Sequence, residues 1–287
     1  MNQKEYIMES MFSDLGAFGL DSNQPLDFNG QSKKEKQVKK VVTIKKTQQL
    51  VFDRKIICPV CDHEFLSKTV KSSVNRFEKT SLTLRPIYSK IDPLLYDVVQ
   101  CNACGYAALN TTYNKISERQ IKAIRENISS KFIPKDEQKD YDYKTALVNN
   151  KLALYNAIIM GSKSINKAYL CLRISWIIDG YLETMEEDDK KEALTLERLN
   201  FVKNAYVGFL EAYETISFPV FGMNQPTYYY LLGVLAYELG DHSHSKRWLS
   251  KVMVDEGSHQ RLKDKARDVK DLVNQKIKEE KEASSSE

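Results

Sequence analysis

No run of this 287-residue chain approaches 18 consecutive apolar residues, which excludes a membrane-spanning helix. The opening residues, MNQKEYIMESMF, include acidic side chains and lack the long apolar block of an export signal, so a cytoplasmic location is expected. An excess of one charge is also missing: 43 Lys and Arg against 39 Asp and Glu leave a formal net charge of +4. Residues 1–50 and 51–110 each carry 8 basic and 6 acidic side chains, and residues 111–287 carry 27 of each. That balance argues against a chain built mainly to coat nucleic acid. Local contact stays open, because Lys33, Lys34, Lys36, Lys39, Lys40, Lys45 and Lys46 fall close together. Histidine is limited to four residues, and none forms an HExxH pair for metal catalysis.

What is present is a folded composition, 42% hydrophobic and 29% charged, in a chain long enough for one large domain or two unequal ones. Five cysteines occur, four of them in two CxxC pairs. In a chain without an export signal, that spacing points to a metal site or redox chemistry before structural disulfides.

The texture of the chain changes along its length. Ile7, Met8, Met11, Phe12 and Leu15 share a helical face near the N-terminus, followed by a polar linker rich in turn formers, so residues 1–49 read as an N-terminal helix and a basic flexible linker. Residues 50–112 read as a compact strand-rich module, with β-prone pieces at Lys55–Ile57, Ser81–Leu84 and Leu94–Val99 between Pro59, Pro86 and Pro93. Residues 113–279 change to a helical period. Ser117 and Gln120 form a plausible capping box, and helices are expected near 145–160, 164–179, 191–216, 227–239, 243–254 and from 260 onward. Residues 280–287 read as a disordered tail. The expected fold class is α+β: a small strand-rich, zinc-ribbon-like module followed by a larger α-helical, tetratricopeptide-like domain.

The CxxC pairs are Cys58-Pro59-Val60-Cys61 and Cys101-Asn102-Ala103-Cys104. Two such turns, brought together by short strands, complete a tetrahedral sulfur shell. Gly105 follows the second pair, where a tight metal-binding turn needs a positive φ; Asp62 holds the matching place after the first and tolerates that conformation less readily. Cys58, Cys61, Cys101 and Cys104 are therefore the expected ligands of one structural Zn²⁺ per chain. Redox-active dithiols and an iron centre or cluster use the same residues, and spacing alone does not separate zinc from iron. His63 is near enough to replace a ligand but reads first as a polar neighbour. Four protein ligands leave no open position for water, so such an ion holds the fold rather than hydrolysing a substrate.

In the helical half, residues 229–240 followed by Ser245, Trp248, Leu249 and Val252 resemble a tetratricopeptide helix pair. Leu232 and Gly233 would permit close packing, Gly240 the turn, Ser245 the small position and Leu249 the groove filler. The pair 145–160 and 164–179 is a looser version, and no consecutive 34-residue repeats are found. Cys171 reads as a small buried hydrophobe, Arg173 as an ion-pair or groove residue, and His242, His244 and His259 as surface polar groups. Gly161-Ser162-Lys163-Ser164 lacks the glycine spacing of a phosphate loop and reads as a helix turn.

The segments ICPVCDHEF and SKIDPLLYDVVQCNACGYAA, with AYLCLRISWIIDG and LLGVLAYELGDHSHSKRWLS further on, resemble a family of uncharacterised bacterial proteins known as DUF2225, over roughly residues 52–256. Asp62 stands where glycine is common in that family, and Asp92 where asparagine precedes the proline. The resemblance implies a bacterial, cytosolic protein with this architecture and supplies no activity. The leading reading is a zinc-stabilised interaction or scaffolding protein that engages a protein or peptide through an exposed, tyrosine-bearing helical surface. A nucleic-acid-associated zinc protein and an enzyme with an unrecognised site are the alternatives. No catalytic residue is identified, and oligomeric state is not legible.

Overall fold

The computed structural model describes residues 13–20, 50–71, 73, 75–139, 141–186 and 189–284. Ile7, Met8, Met11 and Phe12, together with the lysines of residues 33–46, lie outside the described residues. Small two-stranded sheets precede a set of packed helices, an α+β arrangement. The chain forms two compact units, one of residues 1–79 and 87–162, the other of residues 80–86 and 163–287. Among the described residues, no helix is long and apolar enough to cross a membrane.

In the first unit, β1 (Val51–Ile57) pairs antiparallel with β2 (Glu64–Val70), Ile57 facing Glu64 across the turn. Strands β5 (Val98–Gln100) and β6 (Ala107–Leu109) repeat the pattern, Gln100 facing Ala107. Between them, β3 (Phe77–Thr80) pairs with β4 (Pro86–Tyr88). Two β-prone pieces take other forms. Residues 81–84 are the turn between β3 and β4, closed by Ser81 N–H donating to the Arg85 carbonyl, with Leu84 at φ 66°. Residues 93–96 form a 3₁₀ turn because Pro93 starts it and the Asp92 carboxylate accepts from Leu94 N–H at 3.0 Å.

Helix α1 (Glu118–Ile124) begins at Ser117, whose N–H and hydroxyl both donate to Gln120 Oε1, and it runs into a π-turn over Arg125–Ser129. Helix α2 (Tyr143–Ile159) packs on β5, β6, the 93–96 turn and the segment Ser13–Phe18. Its buried residues include Asn149, Asn150, Lys151 and Asn156, so it carries no simple apolar stripe.

The second unit contains α3 (Ser164–Leu182), α4 (Asp189–Ala212), α5 (Gln225–Glu238), α6 (His242–Val254) and α7 (Gln260–Ser284). Each helix packs on the next, α3 with α4, α4 with α5, α5 with α6 and α6 with α7, and α7 also meets α5. Gly180 stays inside α3 as a buried residue rather than ending it. The α5–α6 pair is built as its sequence indicates. A Cβ at Gly233 would lie 2.7 Å from Leu249 Cγ, Ser245 Oγ donates to the Gly233 carbonyl at 2.8 Å, and Gly240 turns the chain at φ 75°. Residues 80–86 belong to this unit: Trp176 Nε1 donates to the Thr83 carbonyl and hydroxyl, Lys265 Nζ to Thr80 Oγ1, and Arg85 pairs with Glu183.

Candidate metal centre

Both CxxC pairs lie at hairpin tips, and the two tips repeat one hydrogen-bond pattern. Cys58 N–H donates to the His63 carbonyl and Asp62 N–H to the Cys58 carbonyl, at 2.9 and 3.0 Å. In the second tip, Cys101 N–H donates to the Tyr106 carbonyl and Gly105 N–H to the Cys101 carbonyl, at 2.8 and 3.0 Å. Asp62 and Gly105, at equivalent places, both adopt the left-handed conformation, with φ 59° and 75°. Asp is among the residues that enter this region at modest cost. At Gly105 steric space adds a second demand, because a Cβ there would meet the Phe132 ring at 2.4 Å.

The tips bring Cys58, Cys61, Cys101 and Cys104 together with all four Sγ atoms within 4.8 Å of one another. Cys58 to Cys104 is 3.6 Å and Cys61 to Cys101 is 3.7 Å. A tetrahedral ion with metal–sulfur bonds of about 2.3 Å holds its ligands roughly 3.8 Å apart, so the cluster has the dimensions and the all-sulfur donor set of a mononuclear site. An iron–sulfur cluster spreads its outer cysteines over several iron atoms and needs wider spacing. The cluster is able to hold a metal ion.

Three of the cysteines are buried and Cys61 is exposed. Hydrogen bonds from Cys101 and Cys104 hold the Cys58 thiol down at about 2, assisted by the N–H of Val60. Cys101 is lowered by a hydrogen bond with Cys104, but contact with Cys58 and burial outweigh this and push it up to about 12. Contact with Cys101 and Cys58 raises Cys104 further. A cation entering the cluster displaces the thiol protons.

Supporting groups fix the tips from outside. Arg125 donates through Nε and a terminal nitrogen to the Val60 carbonyl, placing a guanidinium beside the first tip. Asn156 of α2 donates to the Gly105 carbonyl at 3.2 Å, and Asn102 exchanges hydrogen bonds with the backbone of Lys135. Tyr106 donates to the Tyr113 carbonyl at 2.9 Å, their ring centroids 4.9 Å apart. Arg125, Asn156 and Lys135 are not marked in sequence, since each meets its hairpin tip across 33 residues or more.

His63 is outside the sulfur cluster and stacks its ring on Phe65. Cys171 is buried, which pushes its thiol up to about 12, and buried Arg173 lies against the Tyr169 ring. His242 pairs with Glu280, His244 with Asp241, and His259 Nδ1 accepts from Leu262 N–H. Tyr228, Tyr229 and Tyr230, at the start of α5, are buried and add nothing to an exposed tyrosine surface. Tyr229 hydrogen-bonds Tyr213 at 2.9 Å, and Tyr228 donates to the Phe209 carbonyl at 2.7 Å.

No curated protein and no solved structure matches the chain. A family model described as an uncharacterized protein conserved in bacteria, DUF2225, matches residues 51–273, a span containing both hairpin tips, α1 to α6 and most of α7, and the chain belongs to that family.

Proposed function

We propose that this protein is a zinc-stabilised interaction or scaffolding protein of the bacterial cytosol. Cys58, Cys61, Cys101 and Cys104 hold one structural Zn²⁺, and the two hairpins that carry them act as a zinc ribbon. The observation that carries this reading is the sulfur spacing: two hairpin tips of the same hydrogen-bond pattern converge on a volume matched to one ion. With four protein ligands the ion's shell is filled, so its role is to fix the hairpins rather than to activate water.

The partner surface belongs to the tetratricopeptide-like helical unit. Helix pairs of this kind stack into surfaces that take a peptide or protein. The unit carries a cleft of about 440 Å³ lined by Ser81, Thr83, Arg85, Asp179, Arg198 and Glu238 among others. Arg198 bridges Asp179 and Glu238, and Arg85 pairs with the more exposed Glu183. Such a lining suits a polar or charged segment rather than an apolar helix.

A photo-cross-linking residue at Glu183 in the full chain, expressed in its bacterium, tests the partner half. The reading expects one protein cross-linked in stoichiometric yield, lost when Leu182→Glu is added, with metal content unchanged. Recovery of nucleic acid in place of protein would overturn it.

A further inference from the structure

Among the described residues, only one edge of strand β1 is paired. Lys71 N–H donates to the Leu50 carbonyl and Cys58 N–H to the His63 carbonyl, so the even-numbered residues of β1 bond to β2. Val51, Asp53, Lys55 and Ile57 therefore aim their N–H and C=O groups away from β2. The outer edge of β2 is capped by side chains: Leu66 N–H donates to Glu137 Oε1 at 3.4 Å, and Lys68 N–H to the Tyr141 hydroxyl at 3.1 Å. Beside the open edge, the side chains of Asp53 and Lys55 are 52% and 65% exposed, and Phe52 and Ile57 are 44% and 60% exposed.

The residues along this edge are antisymmetric in charge about Arg54. In VFDRKII, Val51 and Phe52 precede the centre, Ile56 and Ile57 follow it, and Asp53 and Lys55 flank it with opposite signs. An edge that is merely protected needs charge, but no particular order of signs. The antisymmetric order suits one pairing. When two copies lie antiparallel about Arg54, Asp53 faces Lys55 of the second copy, Val51 faces its Ile57, and Phe52 faces its Ile56. Outward residues then meet outward residues, so the backbones can exchange hydrogen bonds. Centring the pair on Asp53 or on Lys55 sets like charges opposite each other, and so does a parallel in-register pairing. Within the chain Asp53 pairs with Lys68 and Lys55 with Glu64, so the contact continues an alternating row of charge across four strands. Arg54, on the axis, donates to Asn110 Oδ1, which draws its guanidinium aside.

We propose that β1 is a self-association edge whose occupant is a second copy of this chain. The two β1 strands pair antiparallel about Arg54 and join two β1–β2 hairpins into one four-stranded sheet. The contact is isologous, the same strand serving both sides. It also relieves a weakness of the hairpin, since two strands alone are marginal and further strands stabilise a sheet. One strand with its flanking apolar side chains is a small interface, so the dimer is weak and concentration-dependent. The edge belongs to the first unit and does not depend on the partner reading made for the helical unit.

Sedimentation equilibrium of the full chain under reducing conditions tests this. The parent should show a reversible monomer–dimer equilibrium. Asp53→Lys alone and Lys55→Asp alone each set like charges opposite across the edge and should weaken the dimer roughly tenfold or more. Mixed in equal amounts, the two variants are complementary again, and the heterodimer should return to within about threefold of the parent. A role confined to folding would not be rescued by mixing. Lys55→Pro removes an outward N–H while leaving the β1–β2 ladder bonds in place, so it should give a monomer that keeps its ellipticity. Three results would overturn the proposal: a parent that stays monomeric at every concentration, a dimer that survives Lys55→Pro, or charge variants whose mixture does not regain the dimer.

Discussion

The two left-handed residues at the hairpin tips behave differently because only one is also crowded. At Gly105 a side chain pays both the left-handed cost and the overlap with Phe132, so Gly105→Ala is expected to destabilise by about 2–4 kcal/mol. At Asp62 a glycine relieves backbone strain but adds freedom to the unfolded chain, so Asp62→Gly should stay within about 1 kcal/mol of the parent. Denaturant titration of both variants checks the contrast, and equal losses would contradict it. The sulfur positions are legible in the sequence because a CxxC turn is a local pattern, and Gly105 is legible for the same reason. The partners that hold those turns are not. Arg125, Asn156 and Lys135 act on the carbonyls of Val60, Gly105 and the Asn102 backbone across long sequence separations, and no periodicity records such contacts.

At the scale of elements, the sequence is most readable where packing is both apolar and close. The α5–α6 pair follows from Gly233, Gly240, Ser245 and Leu249, which have few alternative uses at those spacings. Helix α2 is less readable in its partners, since buried Asn156 reaches the Gly105 carbonyl, Lys151 reaches Asp14, Asn149 bonds Gln138, and Asn150 turns back to the Ala146 carbonyl of its own helix. A tyrosine-bearing surface is not legible from the count of tyrosines, because tyrosine serves equally on a groove wall and, as at Tyr228 and Tyr229, in a core with its hydroxyl satisfied. The charged network of the helical unit yields a pH prediction. Burial pushes the Asp179 and Glu238 carboxyls above their ordinary range, against the lowering pull of Arg198. In Arg198→Met that pull is gone, so the folded-state values rise further above the unfolded ones. The folded state then takes up protons first as pH falls. The variant should lose about 2–4 kcal/mol at neutral pH, and the deficit should shrink as pH drops into the raised carboxylate range. Denaturation at several pH values reads this, and a pH-independent deficit would count against the account.

At the scale of the whole molecule, the two compact units depend on different forces. The hairpins of the first unit are short two-stranded pairs, which are marginal alone, and the sulfur cluster joins them. The second unit rests on helix packing around residues such as Phe201, Phe209, Leu232 and Leu249. A chelator should therefore collapse the hairpin unit while α3 to α7 keep their helical signal, seen as a partial loss of ellipticity followed by a separate thermal transition. A single concerted loss of all structure on chelation would show instead that both units depend on the metal. Acid should weaken metal retention as well, because the ion competes with protons for the four cysteine sulfurs.

The central claim is that the four cysteines form one closed metal site, and the most direct test is the metal content of the full chain purified under reducing conditions, beside Cys58→Ser and Cys101→Ser. Structural zinc of this kind contributes on the order of 10–16 kcal/mol to folding, so each variant should lose both the ion and the hairpin unit's protection. The account predicts about one zinc per parent chain and almost none in either variant. A parent without metal, a parent loaded with iron, or zinc retained in both variants would contradict it.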